Sequence, residues 1–184
     1  MKYFKQLPYS FDSDKLEKGL EDVLQICPWK NNGSPWPWQI CLTERQHEHQ
    51  AYYSGNGGAM DIIDKKGKEI NYPGTMKESD YTKFMPEFAN TYLKHVYDTL
   101  LKDLKIGRVR LFLSKPKKAI PWHRDFEPRV HIPIITLPGA RMVIDDEAHH
   151  MEAGTCWFAD TRFYHSQFNG SEADRIHMVM TIIQ

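Results

Sequence analysis

The chain has few cysteines and no excess of charge of either sign, and each shortage removes a class of protein. Its 184 residues contain only Cys27, Cys41 and Cys156. An odd number of thiols without metal-binding spacing predicts neither a disulfide framework nor a cysteine-based zinc site, so all three are expected to be reduced. Basic and acidic residues number 24 each, and the formal charge is zero. A chain-wide attraction to nucleic acid or to an anionic membrane is therefore not expected. No run of about 18 apolar residues is present that could span a bilayer. The first residues, Met1 to Gln6, lack an apolar signal core, so a cytoplasmic location is expected. No repeat, low-complexity tract or linker interrupts the chain, and its length fits one domain with its own core.

The first part of the chain, residues 1–105, reads as a mixed flank of helices and loops. Asp12 and Ser13 are suited to cap a helix carrying Leu16, Leu20 and Leu24 on one face, and Pro28 should end it. A proline-broken loop from Pro28 to Trp38 follows with three tryptophans. These rings either pack at a corner of the core or form a wall of a pocket. Gln39 to Thr43 has the composition of a strand. His47 and His49, two apart, sit in a polar stretch read as a solvated loop, and Ser54 to Gly58 is a turn signal. From Ser79 to Leu104 the pattern predicts a long helix, perturbed at Pro86, with Phe88, Tyr92, Val96, Leu100 and Leu104 as its apolar stripe.

Beyond Gly107 the period changes from helical to two. Val109, Leu111 and Leu113 alternate with Arg108, Arg110 and Phe112. Val130, Ile132 and Ile134 alternate with Arg129 and His131, and Ile176, Met178, Met180 and Ile182 with Arg175, His177 and Val179. Shorter apolar runs lie at Arg141–Asp145 and Thr155–Ala159. Several short strands at this spacing predict a β-sandwich or small barrel with helices packed around it, residues 106–184 being its β core.

Within that core, Pro121-Trp122-His123-Arg124-Asp125 carries the chemistry. In a strand, side chains two apart share a face, so His123 and Asp125 present an imidazole and a carboxylate together. His165, remote in sequence, supplies a second imidazole. Two histidines and one carboxylate make a facial triad suited to non-haem Fe(II), with coordination positions left open. Arg129 and His131 can point the same way from the next strand. Arg175 follows His165 by ten residues, and its planar fork is suited to a carboxylate near the metal. Against these readings, His123 and Asp125 could be a surface pair, Arg175 could pair with Asp174 or Glu172, and His131 could be a core histidine. Asp145-Asp146-Glu147 with His149-His150 is a rival ligand cluster, read as a solvated hairpin tip.

The run Glu152 to Asp160, continuing through Tyr164-His165-Ser166 and Asn169 to Asp174-Arg175-Ile176, together with Arg129-Val130-His131, resembles the aspartyl/asparaginyl β-hydroxylase family of Fe(II)- and 2-oxoglutarate-dependent oxygenases. The resemblance covers residues 107–183. It implies a mainly β fold with flanking helices, a double-stranded β-helix (jelly roll, cupin-like). It implies Fe(II) on His123, Asp125 and His165, and 2-oxoglutarate with its far carboxylate on Arg175 and its orientation aided by His131. Arg129 is left between the co-substrate and a substrate carboxylate. The implied reaction hydroxylates an amino-acid side chain, free or in a peptide, with O2 consumed and succinate and CO2 released, and with ascorbate as a stimulant. Some members of the family lack the carboxylate that Asp125 provides here. A serine that helps hold the co-substrate in some members is replaced, with Phe112 near its place and Ser114 two residues on. Two other classes stay open from the residues alone: a cupin-like metalloenzyme using the same ligands for non-oxidative chemistry, and a non-catalytic β-barrel binding protein. Oligomeric state is not legible.

Overall fold

Residues 1–31, 38–46, 51–53 and 58–184 are described by the computed structural model. In chain order they form β1 (Phe4–Ser10), α1 (Ser13–Ile26), β2 (Gln39–Cys41), β3 (Thr43–Glu44), β4 (Met60–Ile63), β5 (Glu69–Tyr72) and a 3-10 turn (Glu78–Asp80). β6 (Lys83–Phe84), a second 3-10 turn (Pro86–Phe88) and α2 (Tyr92–Leu100) complete the first half. The second half is β7 (Ile106–Ser114), β8 (Lys118–Ala119), β9 (His123–Asp125), β10 (Arg129–Ile135), β11 (Ala140–Ile144), β12 (Glu147–His149), β13 (Thr155–Ala159), β14 (His165–Asn169) and β15 (Arg175–Ile182).

Two antiparallel sheets enclose the interior of a jelly roll. The major sheet has the order β1-β13-β10-β15-β7-β2, and the minor one β12-β11-β14-β9-β4-β5, with β8 also on β14. Period-two alternation gives the major sheet two buried faces of different character. Val109, Leu111, Leu113, Val130, Ile132, Ile134, Ile176, Met178 and Met180 turn outward and form the apolar core with Leu16, Leu20 and Val23 of α1 and Leu93, Val96 and Leu100 of α2. Arg108, Arg129, His131, Arg175, His177 and Thr181 occupy the other face and are also buried. The sheet therefore carries an apolar core on one side and a polar chamber on the other.

The α1 expectation holds in detail. Asp12 caps the helix through a 3.1 Å bond from the Lys15 amide, and the helix ends before Pro28. The long helix expected from Ser79 to Leu104 is corrected to the nine residues of α2. Upstream, Phe84 pairs with Thr43 in a short antiparallel ladder. Pro86, which lacks an N–H, starts a 3-10 turn there rather than continuing an α-helix. Tyr92, Val96 and Leu100 of the expected stripe do lie in α2, whereas Phe88 is fully buried in the same apolar core from the 3-10 turn without belonging to the helix. Trp29 and Trp38 pack against that core, which is the corner reading. Trp36, His47, His49 and most of the Ser54–Gly58 turn lie outside the described residues.

β1 was not visible as an alternating pattern. It pairs with β13, and its start is held by Glu147, which accepts from the Lys2 amide at 2.6 Å and the Tyr3 amide at 3.3 Å. Asp145 accepts from the Tyr3 hydroxyl at 2.7 Å, and His149 lies against Trp157 with ring centres 4.2 Å apart. The rival acidic cluster is thus committed to anchoring the N-terminal strand.

Gly154 stands where this anchoring meets α1, with φ +76°. A Cβ there would approach the Phe11 carbonyl oxygen to 2.4 Å, while the glycine's own carbonyl accepts from the Phe11 amide at 2.8 Å. Gly154→Ala is expected to destabilise the fold by more than the roughly 1–3 kcal/mol that a left-handed conformation alone costs, because the added methyl also meets backbone. The shift of the urea midpoint measures it; an unchanged midpoint would contradict the account.

Candidate metal centre and ligand chamber

β9 is only three residues long, and its place is fixed from both sides. His123 stands opposite His165 of β14 on one side and Ile62 of β4 on the other, while Met60 stands opposite Asp125. Outward-pointing Arg124 ties the strand to Asp61 at 2.7 Å, and Asp61 accepts from Asn71 at 2.5 Å. With Arg124 outside, His123 and Asp125 point into the chamber. The alternation expected from the sequence therefore holds, and the surface-pair reading does not: His123 is 5% exposed.

One ligand atom from each of His123, Asp125 and His165 lies within 4.8 Å of the others. His165 Nε2 is 3.9 Å from Asp125 Oδ2, and the imidazole centres are 4.1 Å apart. Each ring has a backbone carbonyl at its Nδ1: Pro121 at 2.7 Å for His123 and Phe163 at 3.0 Å for His165. A carbonyl is matched only by a protonated Nδ1, so both Nε2 lone pairs are presented inward, the arrangement that fixes metal-binding histidines. Burial lowers the pKa of both imidazoles, that of His165 to about 3, with His123 adding to the effect. Both are therefore neutral at pH 7, the form that binds a cation. Burial alone would raise the Asp125 carboxyl, but Arg129 and the two histidines outweigh it and hold it below the ordinary range. Two neutral imidazoles and one carboxylate are a donor set that fits Fe(II).

Arg129 stands behind that carboxylate, with Nε 3.3 Å from Asp125 Oδ2 and Nη2 3.5 Å from Glu78 Oε1. Glu78 has no counterpart in the sequence reading. It is buried on its 3-10 turn, accepts from Arg108 Nη2 at 2.9 Å and from the Thr181 hydroxyl, and reaches this depth because β7 has Gly107 beneath the turn. A Cβ at Gly107 would come within 2.6 Å of the Glu78 carbonyl. Burial works against the Glu78 charge, but Arg129, Arg108 and Arg110 overcome it and its pKa falls well below the carboxylate range. Asp125 is thus oriented by a buried Asp125–Arg129–Glu78–Arg108 chain.

Arg175 lies on β15 beside β7, opposite Ser114. It is 2% exposed, donates to Gln167 Oε1, and has Nη2 3.0 Å from His177 Nδ1. Asp174 and Glu172 are instead paired to Lys115 at 2.9 Å and Lys117 at 2.6 Å, so no described carboxylate pairs with Arg175. Burial lowers its pKa to about 9, which leaves it charged at pH 7. His131 has neither ring nitrogen hydrogen-bonded among the described residues, and Gln167 Nε2 and Arg129 Nη1 are also without partners. Buried polar atoms of this kind are uncommon, and each calls for a partner such as a water, an ion or a ligand.

The empty space of the chamber, with the open solvent at its mouth included, is about 570 Å³. His123, Asp125, His165, Arg129 and His131 line it, as do Arg110, Gln167, Gln39, Met60 and Phe112, which the sequence reading did not count as site residues. Arg175 is behind Gln167. Arg110 was within reach of the sequence, since it shares a strand face with Arg108 and Phe112. Met60, Gln39 and Glu78 come from the first half of the chain, where no local pattern marks them.

Fold and chamber together define a double-stranded β-helix with a buried His-Asp-His cluster at its polar end. Over residues 64–184 the chain matches the model of the family described as aspartyl/asparaginyl beta-hydroxylase. It belongs to that family, and is an oxygenase of the hydroxylase kind. The match extends upstream of the region legible by resemblance and takes in β5 and Glu78. Among solved structures, an oxidoreductase of the 2OG-Fe(II) oxygenase family from Burkholderia pseudomallei is 14% identical, with 98% of this chain and 84% of that chain covered at a TM-score of 0.56. A viral collagen prolyl hydroxylase from Paramecium bursaria Chlorella virus-1, in a 2OG complex, is 9% identical over 98% of this chain and 95% of that chain, at 0.54. AviO1 from Streptomyces viridochromogenes is 13% identical over 99% and 90%, at 0.50. These likenesses concern the fold. No curated protein matches the sequence. No helix among the described residues is long and apolar enough to cross a membrane.

Proposed function

We propose that the protein is an Fe(II)- and 2-oxoglutarate-dependent dioxygenase that hydroxylates an amino-acid side chain, free or peptidyl. His123, Asp125 and His165 would hold the iron, and Arg175, with His131, would hold and orient the co-substrate. The observation that carries this reading is three convergent ligand atoms within 4.8 Å of one another, in a chamber backed by the buried cation Arg175. Family membership supports the same chemistry, and two of the similar structures are described in terms of 2OG.

When bound, the metal and 2-oxoglutarate supply the oxidising power, with O2 reduced, succinate and CO2 released and hydroxyl delivered to the substrate. The chain's own work is ligation, orientation and exclusion. The Pro121 and Phe163 carbonyls hold the imidazole tautomers, and Arg129 holds the carboxylate in its ionised form. Arg175 would hold the co-substrate's distal carboxylate through guanidinium N–H groups that now face Gln167 Oε1 and His177 Nδ1. Phe112 and Val179 wall the chamber against water.

Succinate formation with Fe(II), 2-oxoglutarate, O2 and ascorbate against a panel of amino acids and peptides tests the function. No substrate-dependent succinate, with iron bound, would count against hydroxylation of this class. Arg175→Gln is expected to weaken 2-oxoglutarate by about 30-fold or more, the scale of a lost buried charge pair, while leaving metal affinity within about two-fold. Calorimetric titration of 2-oxoglutarate reads it; unaltered affinity would remove Arg175 from the co-substrate site.

A further inference from the structure

The chamber holds more positive charge than the proposed metal and co-substrate use. Arg108, Arg110, Arg129 and Arg175 face it or stand behind its wall, against the carboxylates of buried Glu78 and of Asp125, which is 11% exposed. A divalent cation and a dianionic co-substrate leave that balance unchanged. Counting half-buried Glu127 as well, a positive charge remains. Three of the four guanidiniums have a role: Arg108 is on Glu78, Arg129 bridges Glu78 and Asp125, and Arg175 awaits the co-substrate. Arg110 has none. It lines the chamber, donates through Nη1 to Gln39 at 2.9 Å, and its Nε is without a hydrogen-bond partner. No described carboxylate comes within ion-pair reach of it.

Strand register separates Arg110 from the co-substrate end. Arg110 stands opposite Val179, and Val179 opposite His131, whereas Arg175 stands opposite Ser114. The two arginines are thus four residues apart along paired strands, about 13 Å of backbone. Arg110, unlike Arg175, lines the chamber together with His123, Asp125 and His165, so its guanidinium borders the space into which the metal-centre side chains point.

Resting on the reading above, the geometry points to Arg110 as the recognition site for a carboxylate of the substrate, held beside the metal and apart from the co-substrate's anchor on Arg175. Two sources share this chemistry: the α-carboxylate of a free amino acid, and an acidic side chain in a peptide. The guanidinium offers Nε and a terminal nitrogen as a bidentate fork, which a neutral amide cannot match with equal charge assistance.

Calorimetric titration of the full chain, anaerobic with Fe(II) and 2-oxoglutarate, tests this with three probe sets. These are free L-amino acids, their α-carboxamides, and acetylated, amidated tripeptides centred on Asp, Glu, Asn or Gln. At least one carboxylate probe should bind wild type about 30-fold or more tightly than its amide. Binding confined to the free acids assigns the α-carboxylate, and binding of the Asp or Glu tripeptides assigns the side chain. Arg110→Gln should erase the acid-over-amide preference while leaving amide and 2-oxoglutarate affinities within about two-fold, and Arg110→Lys should restore part of the preference. Equal binding of acid and amide by wild type, or no binding of any carboxylate probe, overturns the proposal without needing a variant. A fall in 2-oxoglutarate affinity in Arg110→Gln overturns it by assigning Arg110 to the co-substrate. If wild type binds neither iron nor 2-oxoglutarate, the parent reading fails instead; the acid and amide titrations of the metal-free chain then decide Arg110, and the same loss of preference in Arg110→Gln is required.

Discussion

His165→Ala is expected to abolish stoichiometric Fe(II) binding and, with it, 2-oxoglutarate turnover. In the proposed site the imidazole is one of three donors, and the ligand atoms of His123, Asp125 and His165 are the group that converges within 4.8 Å among the described residues. Loss of a residue that merely supports a metal ligand costs roughly 10–100-fold in affinity or activity, and loss of the ligand itself should exceed that. The fold should survive, because β14 stays paired to β11 along its whole length and the ring makes one backbone hydrogen bond. Iron content after gel filtration, read beside a urea denaturation curve, separates the two effects. Retained iron at wild-type stoichiometry would contradict the assignment.

Glu78→Gln is expected to produce the largest change in stability. Its carboxylate accepts from Arg108 and Thr181 and stands 3.5 Å from Arg129, all of them buried. Removing one member of a buried charge network leaves its partners uncompensated, at a cost of about 3–5 kcal/mol. The sign of the pH dependence follows from the depressed folded pKa. The stabilisation is fully present above the unfolded carboxyl value, near 4.3, and is lost progressively as pH falls from there through the folded value. The difference between wild type and variant should therefore be constant from pH 7 down to about pH 5 and narrow in more acid solution. Denaturant midpoints at a series of pH values measure it. A difference that grows on acidification would mean that Glu78 is protonated in the folded chain.

The parts of this fold that were legible are those where local pattern and tertiary environment agree. β7, β10 and β15 alternate because one face meets α1 and α2 and the other lines the chamber, and that contrast is written residue by residue in Val109-Arg110-Leu111 and Val130-His131-Ile132. The cap at Asp12 was legible because capping is a local hydrogen bond. The helix expected from Ser79 to Leu104 shows the converse. Tyr92, Val96 and Leu100 are helical, but Phe88 enters the core from a 3-10 turn, and period alone cannot tell this from helical burial.

The site divides in the same way. His123 and Asp125 were accessible through strand geometry, and His165 and Arg175 through the resemblance of residues 152–176 to the family. Arg129 was visible, but its place between Asp125 and Glu78 was not, because Glu78 belongs to a short 3-10 turn whose depth depends on Gly107 of β7. Gln167 and Met60 carry no signature before the sheets are assembled. Long-range pairing put them in the chamber, and no window of neighbouring residues records it.

The most direct test of the central claim is the visible absorption of the anaerobic protein with one equivalent of Fe(II) and excess 2-oxoglutarate. The account predicts the weak charge-transfer band of a chelated complex, absent in His165→Ala and requiring more 2-oxoglutarate in Arg175→Gln. No band in wild type with iron bound, or an undiminished band in His165→Ala, would contradict it.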